Sequence, residues 1–150
     1  GEPAVHSSTL FRKPRPLHLF DWRCTDIATT FEAVVLGDWV CEHRDPYIRN
    51  MIRFRRTVAG TDVTRWWDNA GNAIGFSRGD KGWVAINREG GNVLVSTNTG
   101  LAAGTYCDVL GGGKVGAGCA GASVVVGTSG GVALSLAGNS ALVIDVTTKL

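Results

Sequence analysis

The first pattern in this chain that predicts a definite element lies between residues 46 and 58. Five positions there recur at three- and four-residue steps, the period of an α-helix. All but Arg55 are apolar: Ile48, Met51, Ile52, Arg55 and Val58. Asp45 can cap such a helix, and Pro46 suits its first position, where the missing N–H is not needed. Gly60 provides a natural stop. The pattern therefore predicts one helix.

From Thr61 onward, apolar and polar positions alternate with the period of a β-strand. The runs predict eight strands, near residues 63–68, 72–78, 82–88, 92–99, 104–110, 122–127, 131–137 and 141–147. Glycine, asparagine and aspartate lie between the runs, for example at Gly79-Asp80 and Gly130-Gly131, where hairpin turns need residues that tolerate positive φ. These features indicate a mainly β fold, an eight-stranded antiparallel sandwich preceded by one helix.

The alternating apolar residues predict one core shared by all the strands. Each large aliphatic or aromatic side chain contributes roughly 1.5–3 kcal/mol when fully buried, so about fifteen of them suffice for a single core. The set includes Ile74, Phe76, Val84, Ile86, Leu142, Ile144 and Val146.

Residues 1–37 follow neither pattern. Pro14 and Pro16 interrupt any regular element there, Val5–Leu10 has the composition of a short strand, and Ala28–Leu36 is apolar without an assignable period. An exposed segment this apolar is an aggregation hazard, so we expect it to pack on another surface.

The charge of the chain and the length of its apolar runs bear on two classes of partner, nucleic acids and membranes. Its 150 residues carry 15 basic and 13 acidic side chains, for a net charge of +2, which is too balanced to indicate nucleic-acid binding. No run approaches the roughly 20 apolar residues that a membrane helix needs, and no signal segment follows Gly1. We expect neither a nucleic acid nor a membrane as partner.

Four cysteines, Cys24, Cys41, Cys107 and Cys119, include no CxxC pair and accompany only three histidines. Zinc-ligand spacing is therefore missing, and disulfides in an oxidising compartment are the better interpretation. A Cys107–Cys119 bridge would close the glycine-rich loop GGGKVGAG, and closing a loop of that size stabilises a fold by roughly 3 kcal/mol. Cys24 and Cys41 remain as the second candidate pair.

Several motifs follow one another in the order seen in one enzyme family. They are WVCEHR at 39–44, IRNMIRFR at 48–55, WWDN at 66–69, NAIGFSRGDKGWVAIN at 72–87, GLAAGTYCDVLGG at 100–112 and the closing Lys149-Leu150. Over residues 38–150 the chain resembles the C-terminal portion of α-amylases of the bacterial and animal type. The opening GEPAVHSS is similar to the eighth barrel strand of those enzymes.

The resemblance implies a division into two parts. Residues 1–60 would be the end of a (β/α)8 catalytic barrel, with its last strand, a divergent loop and its last helix, and residues 61–150 a Greek-key β-sandwich. The family disulfide in this domain matches Cys107 and Cys119. Cys41 matches a second family cysteine, but the position of its usual partner is occupied here by Val35. Either Cys24 takes that role or Cys41 is free.

The family hydrolyses internal α-1,4 links of starch and glycogen with retention, using three carboxylates on earlier barrel strands. Those strands also bind a structural calcium ion, and none of them matches this sequence, so we expect no catalytic residue and no cofactor or metal site here. The position that often carries a basic chloride ligand is Ala4. The resemblance further implies a secreted protein whose partners are an α-glucan and the missing barrel.

Trp66 and Trp67 are the candidate substrate-binding residues, because aromatic faces stack on sugar rings. Neighbouring strand residues point to opposite faces, so we expect one ring in the core and the other exposed. For Trp83, Tyr106 and His43 a structural role is the better interpretation.

The acidic residues of the strand region lie at strand ends or turns, where solvated carboxylates are usual; they are Asp68, Asp80, Glu89 and Asp108. The arginines of the helix are expected to form a solvated face. Three hypotheses follow: a catalytically inactive C-terminal part of an α-amylase, a carbohydrate-binding sandwich, and a module that only stabilises the barrel.

Overall fold

The structure is a computed structural model that describes residues 45–150. The expectations for the barrel end, for the strand at Val5–Leu10, for His43 and for the Cys24–Cys41 pair therefore lie outside the described residues.

The predicted helix, α1, is confirmed and spans Pro46–Thr57. The Asp45 side chain accepts hydrogen bonds from the backbone N–H groups of Tyr47 at 2.8 Å and Ile48 at 3.2 Å, which satisfies donors that have no partner inside the first turn. Gly60, with φ of 75°, lets the chain turn away after the helix.

The eight predicted strands are all present, and two short strands are added to them. The bounds are Val63–Asp68 (β1), Ala73–Arg78 (β2), Gly82–Asn87 (β3), Val93–Asn98 (β4), Gly104–Cys107 (β5), Lys114–Val115 (β6), Gly118–Cys119 (β7), Ser123–Val126 (β8), Gly131–Leu136 (β9) and Ser140–Asp145 (β10). A short 3-10 helix follows at Val146–Thr148. The additional pair, β6 and β7, is a hairpin inside the glycine-rich loop, where the sequence shows no alternation.

The strand pairing is nested. β3 pairs with β10, β4 with β9, β5 with β8 and β6 with β7, all antiparallel, while β2 and β1 extend the β3–β10 pair into a four-stranded sheet. The strands β7 to β10 thus run back along β6 to β3 as one long hairpin, which bends into two layers. The β8 strand contacts β9, so the β5–β8 and β4–β9 pairs lie side by side as the second layer.

The described residues have two cores, so the expectation of one shared core is wrong. An inner core lies between the layers and includes Trp83, Ala85, Val95, Tyr106, Val124, Val126, Leu136, Leu142 and Ile144. A second core lies between α1 and the outer face of the four-stranded sheet and includes Phe54, Val58, Val84, Val109 and Val143, with Phe76 and Ile86 beside them. Val146 faces neither core, because the chain has left the strand there.

Candidate functional site

The two adjacent tryptophans occupy opposite faces of β1. Trp67 is half-buried and packs on the inner core, whereas Trp66 is 58% exposed. The Trp66 ring stacks on Phe76 with centroids 5.9 Å apart and an interplanar angle of 9°, and its Nε1 donates to Asp68 Oδ2 at 3.1 Å. One face of the indole is therefore covered, and its edge is fixed by a carboxylate.

A β-bulge in β1 lies immediately before Trp67. Thr64 pairs with Ser77 and Trp67 with Gly75, so Arg65 and Trp66 together lie opposite one residue of β2. Arg65 has a φ of 51°, which is unfavourable for a residue with a Cβ. A bulge turns side chains away from strict alternation. The sequence gives no signal for it, because arginine is not a residue that marks positive φ.

The helix α1 has one wide apolar face, and the sandwich covers only one edge of it. Phe54 and Val58 are buried against the sheet. Beside this buried edge, about a third of a turn round the helix at 3.6 residues per turn, Ile48 is 41% and Ile52 46% exposed. The apolar stripe of a surface helix normally faces the core of its own domain, so the uncovered part of this stripe indicates a surface that packs on something further. The arginines of α1 are exposed as predicted, and Arg53 donates to Thr147 Oγ1 at 3.3 Å.

The acidic residues serve mainly as acceptors for nearby N–H groups. Glu89 Oε1 accepts from Asn69 Nδ2 at 2.6 Å and from the Asn72 N–H at 3.1 Å. The hydrogen bond from the Asn69 side chain, and after it the one from the Asn72 backbone, hold the pKa of Glu89 below its ordinary value. Asp68 is exposed and also accepts from the Ala70 N–H at 3.0 Å.

Asp108 is not the solvated turn carboxylate that its position predicts. It is only 8% exposed, its Oδ1 accepts from the backbone of Val143 at 3.0 Å, and its Oδ2 accepts from the backbone of Gly111 at 3.1 Å. The side chain ties the loop after β5 to β10. Asp108 Oδ1 also accepts from the Leu110 N–H, so the side chain accepts from three backbone amides. This role cannot be inferred from sequence spacing.

Trp83 and Tyr106 both lie in the inner core. The Tyr106 hydroxyl donates to the Ala102 carbonyl at 2.8 Å, and burial raises the pKa of this hydroxyl.

Within residues 45–150 no group of three or more His, Cys, Asp or Glu side chains is placed to hold a metal ion. In the same range, no helix has the length and apolar character to cross a membrane.

The structure contains the Cys107–Cys119 disulfide, with the two Cα atoms 5.2 Å apart. It closes the loop that carries the β6–β7 hairpin. Lys114 Nζ, on β6, donates to the Lys149 carbonyl at 3.0 Å, so the loop is also attached to the last residues of the chain.

A cleft of about 660 Å³ opens at one edge of the sandwich. Polar side chains from four separate segments reach it: Arg65 from the bulge, Asp80 from the β2–β3 turn, Ser129 from the β8–β9 turn and Lys149 from the last residues. Sequence spacing could not find this set, because the members are brought together only by the strand pairing.

The chain was compared with known proteins. A family model described as the C-terminal all-β domain of α-amylase matches residues 66–147. The pancreatic α-amylase of Rattus norvegicus is 48% identical over 94 residues, which cover 63% of this chain and 18% of the relative. The pancreatic α-amylase of Struthio camelus is 39% identical over 120 residues, which cover 80% of this chain and 24% of the relative.

Solved structures give the same result. A mutant of α-amylase I from Eisenia fetida, in complex with maltohexaose, superposes with a TM-score of 0.67 at 33% identity and covers 76% of this chain and 25% of that one. This chain thus spans a quarter or less of the length of each of these proteins. The family-model match covers more than half of the chain, so the chain belongs to the family of α-amylase C-terminal all-β domains.

Proposed function

We propose that this chain is the C-terminal portion of a secreted enzyme that hydrolyses internal α-1,4 bonds of starch and glycogen, and that residues 45–150 serve that enzyme as a non-catalytic domain. The domain packs against the catalytic barrel through α1 and stabilises it. Membership of the family and the α-amylase names of the relatives support the substrate class. The disulfide supports secretion, because such bonds persist in oxidising compartments.

The observation that carries the proposal is the part of the apolar face of α1 that the sandwich leaves uncovered. Phe54 and Val58 already attach the helix to the sandwich, so Ile48 and Ile52 are not needed for that contact. Covering the exposed parts of these two side chains would contribute roughly 1–3 kcal/mol, taking 1.5–3 kcal/mol for each fully buried isoleucine. The helix would then lie between two domains and belong to the packing of both.

The carboxylates support a non-catalytic role. Glycoside hydrolysis needs two carboxyl groups roughly 5–9 Å apart, one of them with a raised pKa. Glu89 has a lowered pKa, and Asp108 is saturated by backbone amides. A general acid at neutral pH needs a raised pKa, the opposite of the shift at Glu89, and the three amides on Asp108 hold its carboxylate in the loop after β5.

Incubation of the purified chain with soluble starch tests the catalytic part of the proposal. We expect no release of reducing ends above that of a heat-denatured control. Release that disappears when an acidic residue of the chain is replaced by its amide would show that the chain carries its own catalytic group.

A second candidate function is sugar binding by Trp66, and the exposed indole is the observation that favours it. The ring already stacks on Phe76, so only its other face is available to a sugar. This function predicts retention on insoluble starch that weakens in Trp66→Ala. Equal retention of Trp66→Ala and the unchanged chain would exclude it. Trp67 is a poor site for the same test, because its replacement disturbs the inner core.

A further inference from the structure

The cleft at the edge of the sandwich contains a strained residue that points into it. Arg65 keeps a positive φ although the neighbouring strand residues pair normally. Strain of this kind persists where the surroundings impose it, and it is concentrated at ligand and active sites. At the bulge, β1 gives up regular pairing with β2, and the Arg65 side chain lines the cleft.

The Arg65 guanidinium is held in place from one side. Its Nη1 donates to the Gly79 carbonyl at 2.9 Å and to Thr64 Oγ1 at 3.2 Å. The group lies directly over Gly100, where an added Cβ would come within 2.5 Å of Nη1. Both of these hydrogen bonds come from Nη1, and among the described residues Nε and Nη2 make none. A positioned arginine thus keeps two nitrogens available for a ligand.

The other groups of the cleft complete a mixed set of donors and acceptors. Lys149, Ser129 and Asp80, all exposed, line the same space. Val146, 47% exposed, supplies an aliphatic surface beside them. Cations, a carboxylate and hydroxyls in one cleft match a ligand whose every group both donates and accepts hydrogen bonds.

The rim is preorganised. Asn98 Nδ2 donates to the Ser129 carbonyl at 2.6 Å, and its Oδ1 accepts from the Gly100 N–H at 2.8 Å. The loop after β4 and the β8–β9 turn are thereby fixed to each other. A rim that is already ordered loses little entropy when a ligand binds.

We propose that this cleft binds one to two units of an α-1,4-linked glucan, an inference that rests on the proposed function. The volume lies within the roughly 300–1,000 Å³ range of small-molecule pockets. Arg65 and Lys149 donate to sugar oxygens, and Asp80 accepts from a sugar hydroxyl. The one aromatic residue of the lining, Tyr106, is buried, so the sugar is recognised through its hydroxyl edges and not by stacking.

Titration of the full chain with maltotetraose, followed by calorimetry and by amide NMR shifts, tests the proposal. We expect binding that shifts the amides of Gly100 and Ser129. Arg65→Gly removes the guanidinium and places at this position the residue that tolerates positive φ, so the affinity falls about tenfold or more while the chain stays folded. Arg88→Gly, at an exposed arginine beyond β3, is the matched control and keeps the affinity. Unchanged affinity in Arg65→Gly overturns the proposal.

Asp80→Asn separates a sugar from an anion. The change removes a charged hydrogen-bond acceptor of the cleft, so a sugar should bind more weakly. It also removes a negative charge that repels anions, so inorganic phosphate, used as the probe, should bind more tightly. Phosphate that binds more tightly than maltotetraose and gains further from Asp80→Asn would make this an anion site and overturn the proposal. Should Arg65→Gly fail to fold, Lys149→Gln provides the same comparison at a residue near the chain end.

Two outcomes separate this proposal from the others. Loss of maltotetraose binding in Trp66→Ala, with affinity retained in Arg65→Gly, would assign the sugar to the indole and overturn the cleft site. No binding of maltotetraose by the unchanged chain would overturn the cleft site alone. The proposed domain role would stand in that case, because it is tested by starch hydrolysis and by the stability of the joined barrel.

Discussion

Replacing Phe54 by alanine should detach α1 from the sandwich. Phe54 is 3% exposed, and its ring lies so close to the sheet that a Cβ added to Gly82 would be 2.6 Å from Cε2. Because the glycine backbone beneath the ring is held by pairing on both sides, the sheet cannot move up to fill the space. A large-to-small change at such a site costs about 3–5 kcal/mol.

The actual loss is limited by the free energy that docks the helix. α1 has 12 residues, and isolated helices shorter than about 12–15 residues are marginal in water. Once the docking energy is lost, α1 unfolds while the inner core around Trp83 remains. We therefore expect the helical circular dichroism signal to decrease at a lower urea concentration than tryptophan fluorescence does.

Ile52→Ala is the matched control, because it shortens an apolar side chain of the same helix on the exposed side. Its effect on the free energy of unfolding should stay within about 0.5 kcal/mol. Equal losses in Phe54→Ala and Ile52→Ala would refute the packing of α1 on the sheet through Phe54.

Three further changes test other contacts. Gly82→Ala places a Cβ 2.6 Å from a side chain of α1 and should cost about 1–3 kcal/mol in urea unfolding; an unchanged midpoint would contradict the close packing. The lowered pKa of Glu89, caused first by the Asn69 side chain, gives a stabilisation that is present above the ordinary pKa of 4.5 and is lost as the pH falls through the lower folded value. Glu89→Gln should remove this dependence, and an unaltered pH profile would exclude it. Replacing Cys107 and Cys119 together by serine opens a loop with a separation of 12 residues and should cost roughly 3 kcal/mol; a variant as stable as the oxidised chain would contradict that estimate.

Local chemistry predicts the elements of this fold well. Asp45 and Pro46 mark the start of α1 in the sequence, and the structure uses both as expected. The strands begin and end near the predicted residues because each is bounded by turn residues that tolerate positive φ, such as Gly79 and Gly130. These signals lie within a few residues of one another, so they can be recognised in the sequence without information on tertiary contacts.

Two features depend on tertiary contacts and are not visible in the sequence. Val84 and Trp83 are both buried, because β3 is covered on one side by α1 and on the other by the second layer. Alternation assigns such residues to opposite faces but does not say that both faces are covered. The second feature is the bulge at Arg65, whose position follows from pairing with β2 and whose arginine lines the cleft.

The most direct test of the domain role joins residues 45–150 to the catalytic portion of a pancreatic α-amylase relative, in place of its own C-terminal part. The account predicts that Ile48→Ser combined with Ile52→Ser lowers the temperature at which this chimera loses starch hydrolysis. Val125→Ser, at an exposed valine of the second layer, should leave that temperature unchanged. Identical inactivation temperatures for the chimera and both variants would contradict the proposed docking through α1.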